Sequence, residues 1–211
     1  MVMTHPSGRR RILPKDAVVY APGDPTHGLL RIEEGIVRLC LYLADGQRVI
    51  VGFAFPGDIV GLIDDHQMLT AEAATSVMVY ESPSAEQEND GPRKIRLLSL
   101  ALRQTYFVLA IRSRRHARAR VAAFLLDLAG RRLGTEFRLP LSLTDLADHL
   151  GLTLHTISRT LTEFRRRGVL RQGRGRVFTI TQTDRLREIA NEGPLFASEN
   201  HLPSFSPGIT H

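Results

Sequence analysis

The amino-acid sequence predicts an α+β protein with a β-rich N-terminal part, one long helix and a C-terminal module of short helices and strands. Three observations predict this order. Short β-prone stretches separated by glycine-rich turns run from residue 12 to about residue 83. A helical spacing of apolar residues begins after the polar, proline-containing segment 82–92. Two short helical stretches around a glycine then precede two β-prone stretches.

The N-terminal part is predicted to be an antiparallel barrel or roll, because its strands are short and tight turns join them. Segment 36–43 is β-prone and partly alternating, and the dipeptide Asp45-Gly46 after it is a strong hairpin signal. Segment 48–55 is the expected return strand, and segment 76–80 is a further strand.

One long helix is predicted next, with apolar residues at alternating spacings of three and four. Such a seam is typical of a helix that pairs with a second copy of itself, although Thr105 is a weak member. An ordinary amphipathic helix packed on its own domain is the alternative. The candidate dimerisation residues are Ile95, Leu98, Leu102, Thr105 and Leu109.

Segment 143–168 has the pattern of two helices joined by a tight turn. Gly151 stands where the turn requires a residue free to adopt positive φ, and the Thr153 hydroxyl is suited to cap the second helix. Apolar residues at spacings of four and three from Ile157 would bury one face. This is the pattern of a helix-turn-helix, whose second helix lies in the DNA major groove.

The opposite face of the second helix, predicted over 153–167, carries side chains suited to base recognition. Arg159 is suited to bidentate contact with guanine, and the His155 imidazole donates or accepts according to its tautomer. The arginines at the helix end would contact phosphates, with a solvated charged face as an even alternative. The candidate DNA-binding residues, including two from a predicted wing, are Thr153, Leu154, His155, Ser158, Arg159, Thr162, Arg165, Arg166, Arg174 and Arg176.

The domain boundaries follow from these patterns. Residues 193–211 contain three prolines and no periodic apolar pattern, so this C-terminal tail is expected to be disordered. The predicted segments are a flexible basic arm over 1–11, the β-roll over 12–92, the dimerisation helix over 93–118, the winged module over 119–192 and the tail over 193–211.

Charge is distributed unevenly along the chain, although its net value is only +6. Residues 1–92 carry 7 basic and 13 acidic groups, a net charge of −6, whereas residues 93–176 carry 19 basic and 5 acidic groups, a net charge of +14. Residues 177–211 carry 2 basic and 4 acidic groups, a net charge of −2. One module is therefore expected to contact a polyanion, and double-stranded DNA is the expected partner.

Several classes of protein are disfavoured by composition. No run of 18 apolar residues is present, and the N-terminus lacks the apolar stretch of a secretory signal, so we expect a cytoplasmic protein without membrane contact. A single cysteine excludes an internal disulfide framework and a four-cysteine iron–sulfur site within one chain. Because no nucleophile–base arrangement, glycine-rich phosphate loop or zinc-protease motif is found, no catalytic residues and no enzymatic activity are expected.

Four stretches resemble the Crp/Fnr superfamily of bacterial transcription regulators, and its Fnr/FixK branch in particular. The resemblance covers about residues 12–190. It is carried by PGDIVGL at 56–62, TSVMVYESP at 75–83, ARARVAAF at 117–124 and residues 139–168, which include LGLTLHTISR.

The resemblance implies an N-terminal cyclic-nucleotide-binding-like β-roll, a long dimerisation helix and a C-terminal winged helix-turn-helix. It implies a homodimer that binds a palindromic operator and controls transcription by contacting RNA polymerase. In this family the helix residues equivalent to Ser158 and Arg159 contact the operator, and both are present here.

Three departures from the family pattern limit what the resemblance implies. Leu62 stands where cyclic-nucleotide-binding members have a glutamate, and no Lys or Arg occurs over 62–92, so a cyclic phosphate would meet no cation. One cysteine does not hold the family's iron–sulfur cluster. His155 replaces the glutamate of the Fnr/FixK recognition frame, so the operator is expected to differ at that base pair.

Other residues leave alternatives open. Cys40 is expected to be a packed core thiol rather than a redox switch, and Asp64, Asp65 and His66 to be solvated rather than metal ligands. No cofactor and no metal site are expected, although the β-roll leaves room for an unidentified effector. Two other functions remain as alternatives: an effector-sensing protein whose C-terminal module docks a protein, and a non-specific architectural DNA-binding protein.

Overall fold

The computed structural model divides the chain into two compact units, Met1–Val108 and Leu109–His211. Both strands and helices form as predicted, so the α+β assignment is confirmed. Within the described part of the chain, no helix is long and apolar enough to cross a membrane. The structure describes residues 8–24, 29–61, 67–82, 91–133, 135–139, 141–174 and 177–191.

Eight strands of the N-terminal unit form two antiparallel four-stranded sheets. The strand order is β1-β8-β3-β6 in one sheet and β2-β7-β4-β5 in the other. Apolar side chains from both sheets form one core, which includes Ile32, Val37, Ala71 and Val79. The strands are β1 (Arg9–Leu13), β2 (Val18–Tyr20), β3 (Leu30–Glu34), β4 (Val37–Tyr42), β5 (Arg48–Ala54), β6 (Ile59–Val60), β7 (Thr70–Ala73) and β8 (Val77–Glu81).

The predicted hairpin between β4 and β5 is confirmed. Gly46 adopts a φ of 82°, and the Gln47 amide donates to Asp45 Oδ1 at 2.9 Å. The Leu43 amide closes the turn by donating to the Gln47 carbonyl at 2.9 Å. Only glycine adopts this φ at little cost, which explains why the dipeptide predicted the turn.

The predicted flexible arm over 1–11 is wrong for its last three residues. Arg9 to Arg11 begin β1, which pairs antiparallel with β8 in a register that sets Arg9 opposite Glu81. The Arg10 guanidinium donates to Glu33 Oε2 at 2.8 Å. Because β1 is an edge strand, charged side chains project from it into water at little cost, and the apolar alternation that predicts strands is absent.

The helix predicted over 93–118 is shorter than expected and is followed by a second helix. Helix α1 spans Gly91–Arg112, and α2 begins at Ala117. The Arg114 amide donates to the Ile111 carbonyl at 3.2 Å in a tight turn, and His116 is extended at φ −100°, ψ 135°. The predicted end at residue 118 is therefore wrong, because the helix register is interrupted by an extended residue that the polar sequence does not signal.

The C-terminal unit contains the remaining elements. Helix α2 spans Ala117–Leu128 and continues into a π-helical turn, Ala129–Leu133. The wing is a three-stranded sheet in the order β10-β11-β9, because β9 pairs antiparallel with β11. The elements are β9 (Glu136–Arg138), α3 (Leu143–Leu150), α4 (Leu154–Arg166), β10 (Leu170–Gln172), β11 (Val177–Ile180) and α5 (Thr183–Asn191).

Helices α4 and α5 both pack on α2. Their shared core contains the fully buried side chains of Leu125, Ile157, Phe164 and Leu186. This core holds α4 on a rigid base and leaves its other face outside. The tail predicted over 193–211 lies outside the described residues.

Candidate nucleic-acid interface

The turn between α3 and α4 has the predicted geometry. Gly151 is left-handed, at φ 63° and ψ 45°, and Thr153 precedes α4 as its N-cap at φ −85° and ψ 152°. The Thr153 hydroxyl accepts a hydrogen bond from the Thr156 amide at 3.1 Å. A capped start and a left-handed glycine are the two local features that define the entry of a recognition helix. Both predictions are confirmed.

One face of α4 is buried. Ile157, Leu161 and Phe164 contribute the apolar part, as predicted, and Thr160 is buried between them. The Thr160 hydroxyl donates to the Thr156 carbonyl at 2.8 Å, so its burial leaves no unsatisfied hydroxyl proton. The helix is therefore anchored by packing over its whole length.

The predicted groove face of α4 is exposed. Leu154 is 49% exposed. Within the described residues, no hydrogen bond or ion pair engages His155, Ser158 or Arg159. Their polar atoms are therefore free to bind an external partner. The exposed candidates on this helix and its cap are Thr153, Leu154, His155, Ser158, Arg159, Thr162, Arg165 and Arg166.

The three arginines at the end of α4 have different surroundings. The Arg165 guanidinium donates to Gln172 Oε1 at 2.6 Å and to Thr162 Oγ1 at 2.9 Å, which joins the helix to the wing. The Arg167 side chain forms an ion pair with Glu163 at 2.8 Å. Arg166 is exposed and has no partner among the described residues.

The wing contributes further positive charge beside the end of α4. Arg171 and Arg174 are exposed, and Arg171 lines a shallow groove together with Arg165 and Gln172. Sequence reasoning did not single out Arg171, because the sequence does not show where the wing strand ends and its turn begins within 171–176. Arg176, another candidate, lies outside the described residues.

The candidate dimerisation residues lie on an exposed face of α1. Ile95, Leu98, Leu102 and Leu109 are between 42% and 67% exposed within the single chain. Thr105 is also exposed, and its hydroxyl donates to the Ala101 carbonyl at 3.0 Å. Tyr106, which sequence reasoning did not include, is also exposed and flanks the seam next to Thr105.

A buried polar cluster lies on the sheet that contains β4 and β7. Glu72 Oε2 accepts from Arg38 Nε at 2.7 Å, and the Tyr42 hydroxyl donates to Glu72 Oε1 at 2.5 Å. Cys40 is buried, with its Sγ 3.9 Å from Glu72 Oε2. The neighbouring carboxylate, together with partial burial, raises the pKa of Tyr42 to about 12.

Some of the residues considered as metal ligands lie outside the described part of the chain. Within the described residues, no group of three His, Cys, Asp or Glu side chains is arranged to hold a metal ion. Asp64, Asp65 and His66 lie outside the described residues, as does Leu62.

Comparison with known proteins connects the two units to one family. A cyclic nucleotide-binding domain model matches residues 10–89, and a Crp-like helix-turn-helix domain model matches residues 119–189. The nitrogen fixation regulation protein FixK of Rhizobium meliloti is 31% identical over 90% of this chain and 88% of its own length. FixK of Bradyrhizobium diazoefficiens is 35% identical over 77% of this chain and 74% of its own.

The fold is similar to that of a solved relative. The structure of FixK2 from Bradyrhizobium japonicum matches with a TM-score of 0.81 and 29% identity, covering 86% of this chain and 96% of that chain. The predicted β-roll and winged helix-turn-helix are thereby confirmed, and the family consists of regulators rather than enzymes. The chain belongs to the Crp/Fnr family of DNA-binding transcription regulators.

Proposed function

We propose that two copies of this chain bind one palindromic operator. The two α4 helices enter successive major grooves, about 34 Å apart. The observation that carries this proposal is the exposed, unpartnered face formed by His155, Ser158 and Arg159 on a helix whose other face is buried. Because the buried face already orders the helix backbone, only side-chain freedom is lost when these donors meet base edges.

The exposed apolar face of α1 supports the homodimer. Ile95, Leu98, Leu102 and Leu109 repeat at coiled-coil spacing, and their exposure in the single chain is costly in water. A second copy of the same helix removes these side chains from water and creates the two-fold axis that a palindrome requires.

We propose that neither a cyclic nucleotide nor an iron–sulfur cluster regulates this protein. The absence of Lys and Arg over 62–92 leaves no cation for a cyclic phosphate, and one cysteine does not hold a cluster. The FixK relatives are named as nitrogen fixation regulation proteins. We propose that this chain likewise controls transcription and does so by contact with RNA polymerase.

Selection of bound sites from random double-stranded DNA tests the proposal. The full chain is used at physiological salt with no added ligand, and the recovered sites are measured by competition binding. We expect palindromic sites that are preferred by roughly 10³ or more over random DNA. Equal binding to all sequences would instead show an architectural protein, and no binding at all would favour a module that docks a protein.

His155→Glu sharpens the test at one base pair. A carboxylate accepts a hydrogen bond from the cytosine amino group, which an imidazole does poorly. The variant is therefore expected to select the Fnr-type base at that position. An unchanged selected site would show that residue 155 does not contact this base pair.

Leu102→Glu tests the dimer. The substitution places a charge in the apolar seam, and sedimentation is expected to show monomers at concentrations where the native chain is dimeric. Gln104→Glu adds the same charge off the seam and serves as the matched control. If both variants sediment like the native chain, the seam does not form the dimer.

A further inference from the structure

The turn that leads into α4 is held from outside the helix-turn-helix. The last carbonyls of α3 have no partner within their own helix, as in every α-helix. Arg120, on α2, donates from Nη1 to the Leu150 carbonyl at 3.2 Å and to the Gly151 carbonyl at 3.4 Å. These two carbonyls belong to the last residue of α3 and to the turn glycine.

The same guanidinium also binds the segment between α1 and α2. Arg120 Nε donates to the Arg114 carbonyl at 2.8 Å. One planar group therefore connects three pieces of backbone: the α1–α2 link, the end of α3 and the turn before α4. A guanidinium is suited to this because its donors are fixed in one plane and its positive charge favours a helix C-terminus.

Arg112, the last residue of α1, approaches the same turn. A Cβ added to Gly151 would lie 3.0 Å from Arg112 Nη2 and 3.3 Å from Arg112 Nε. The turn glycine is therefore favoured by its positive φ, and its missing side chain leaves room for the Arg112 guanidinium. The final turn of α1 and the start of α2 both converge on the entry to the recognition helix.

We propose that Arg120 is a positioning residue for operator binding. It holds the direction of α4 relative to the last residue of α1 by binding the Leu150 and Gly151 carbonyls, and it does not contact DNA. This inference rests on the proposed function, because it assumes that α4 binds bases. It assigns a role to an arginine that charge alone would have grouped with the phosphate contacts.

The salt dependence of operator binding separates these roles. Removing one phosphate-binding cation from each protomer reduces the slope of log K against log salt by about 1.8 per dimer. Removing a positioning residue lowers affinity without changing the number of neutralised phosphates. For Arg120→Gln in the full chain, we expect binding to the selected operator to be about tenfold weaker at every salt concentration, with an unchanged slope.

Two further variants complete the experiment. Arg120→Lys keeps the charge but cannot bind three carbonyls in one plane, so we expect it to recover part of the affinity. Arg131→Gln removes an equal charge from an arginine that pairs with Asp127 at 2.8 Å, and it is expected to bind like the native chain. If Arg120→Gln does not fold, the affinity of Arg120→Lys decides the question, because its charge, and therefore its salt slope, is the same in either role.

Affinities are expressed per folded dimer, measured well below the thermal midpoint, so that a loss of stability alone leaves them unchanged. Native affinity in Arg120→Gln, or in Arg120→Lys if the first variant does not fold, overturns the inference. A slope reduced by about 1.8 in Arg120→Gln also overturns it, because Arg120 would then be a phosphate contact. If the native chain selects no operator, the proposed function fails and this inference fails with it. A native chain that binds while the variants bind equally well contradicts only the inference.

Discussion

Three arginines of the β-roll and two of the winged unit have opposite surroundings. In the β-roll, Arg10 and Arg31 both bind Glu33, and Arg38 binds Glu72. In the winged unit, Arg159 and Arg166 are exposed and have no partner within the described residues. These three arginines of the β-roll are therefore engaged in the fold, whereas Arg159 and Arg166 of the winged unit remain available to a polyanion.

The difference has a physical origin in solvation. The Arg38 and Glu72 side chains are each only 9% exposed, so each charge is stripped of most of its water and is compensated by nearby charges, chiefly by the other at 2.7 Å. The exposed arginines of α4 keep their hydration. In the proposed complex they neutralise phosphates and release counterions condensed on the DNA, which supplies much of the binding free energy and which buried pairs cannot do.

The largest expected effect comes from breaking the buried pair. Glu72→Ala removes the carboxylate 2.7 Å from Arg38 Nε and leaves a desolvated guanidinium whose Nη2 still pairs with the exposed Asp16 Oδ1 at 3.0 Å. We expect the free energy of unfolding of the β-roll to fall by about 3–5 kcal/mol, measured by urea denaturation. Glu34→Ala, at an exposed carboxylate in the same unit, should change it by less than about 0.5 kcal/mol. A decrease below about 1 kcal/mol in Glu72→Ala would show that the cluster is not a structural ion pair.

Arg159→Ala tests the opposite case, an arginine that folding does not use. We expect an unchanged urea midpoint but a loss of about 1–3 kcal/mol in discrimination at one base pair of each half-site. Titration against operators with single base-pair substitutions measures this. Arg185→Ala, at an exposed arginine paired with Glu188 on α5, is the control. Discrimination that stays the same in both variants would remove Arg159 from the interface.

Arg166 and Arg167 offer a comparison between neighbours. Arg166 has no partner within the described residues, whereas Arg167 is already paired with Glu163. Arg166→Gln is expected to lower the salt slope of DNA binding by about 0.9 for each protomer, and Arg167→Gln by clearly less. Equal slopes in the two variants would mean that the ion pair seen in the free protein does not persist on DNA.

The smallest expected effect is a pH dependence in the β-roll. The pKa of Tyr42 is raised to about 12, first because Glu72 accepts its hydrogen bond and then through partial burial. A raised pKa means that the neutral phenol stabilises the fold below about pH 10, and that this contribution disappears as the pH rises from 10 to 12.

Tyr42→Phe isolates this contribution. The variant should be less stable by about 0.5 kcal/mol at neutral pH and should approach the native chain by pH 12, as measured by urea denaturation. In a Glu72→Gln background, the same substitution is expected to have a smaller pH-dependent effect, because only the contribution of partial burial remains. A constant difference across this pH range would show that the hydrogen bond to Glu72 does not govern the titration.

Local features were predictable because they depend on a few neighbouring residues. The Asp45-Gly46 hairpin, the Thr153 cap and the left-handed Gly151 each follow from backbone preferences that no distant contact has to supply. The buried stripe of α4 follows from helical periodicity alone. The exposed groove face could be predicted for the same reason, because it is the face that the stripe leaves outside.

Other features required the fold. Arg9 to Arg11 form a strand only because β8 presents unpaired backbone at the right register. Arg165 binds Gln172, and Arg167 binds Glu163, although both arginines looked like equal phosphate contacts. Arg120 reaches carbonyls 30 residues away in the chain, and no sequence spacing signals such a contact.

The sequence alone therefore determined the fold class, the helix-turn-helix and the residues of its exposed face, because these depend on periodicity, caps and glycine conformations within short segments. The tertiary structure decided which arginines are engaged and which are free. That distinction depends on distances between residues far apart in the chain and on how much water each guanidinium keeps, and neither quantity is local.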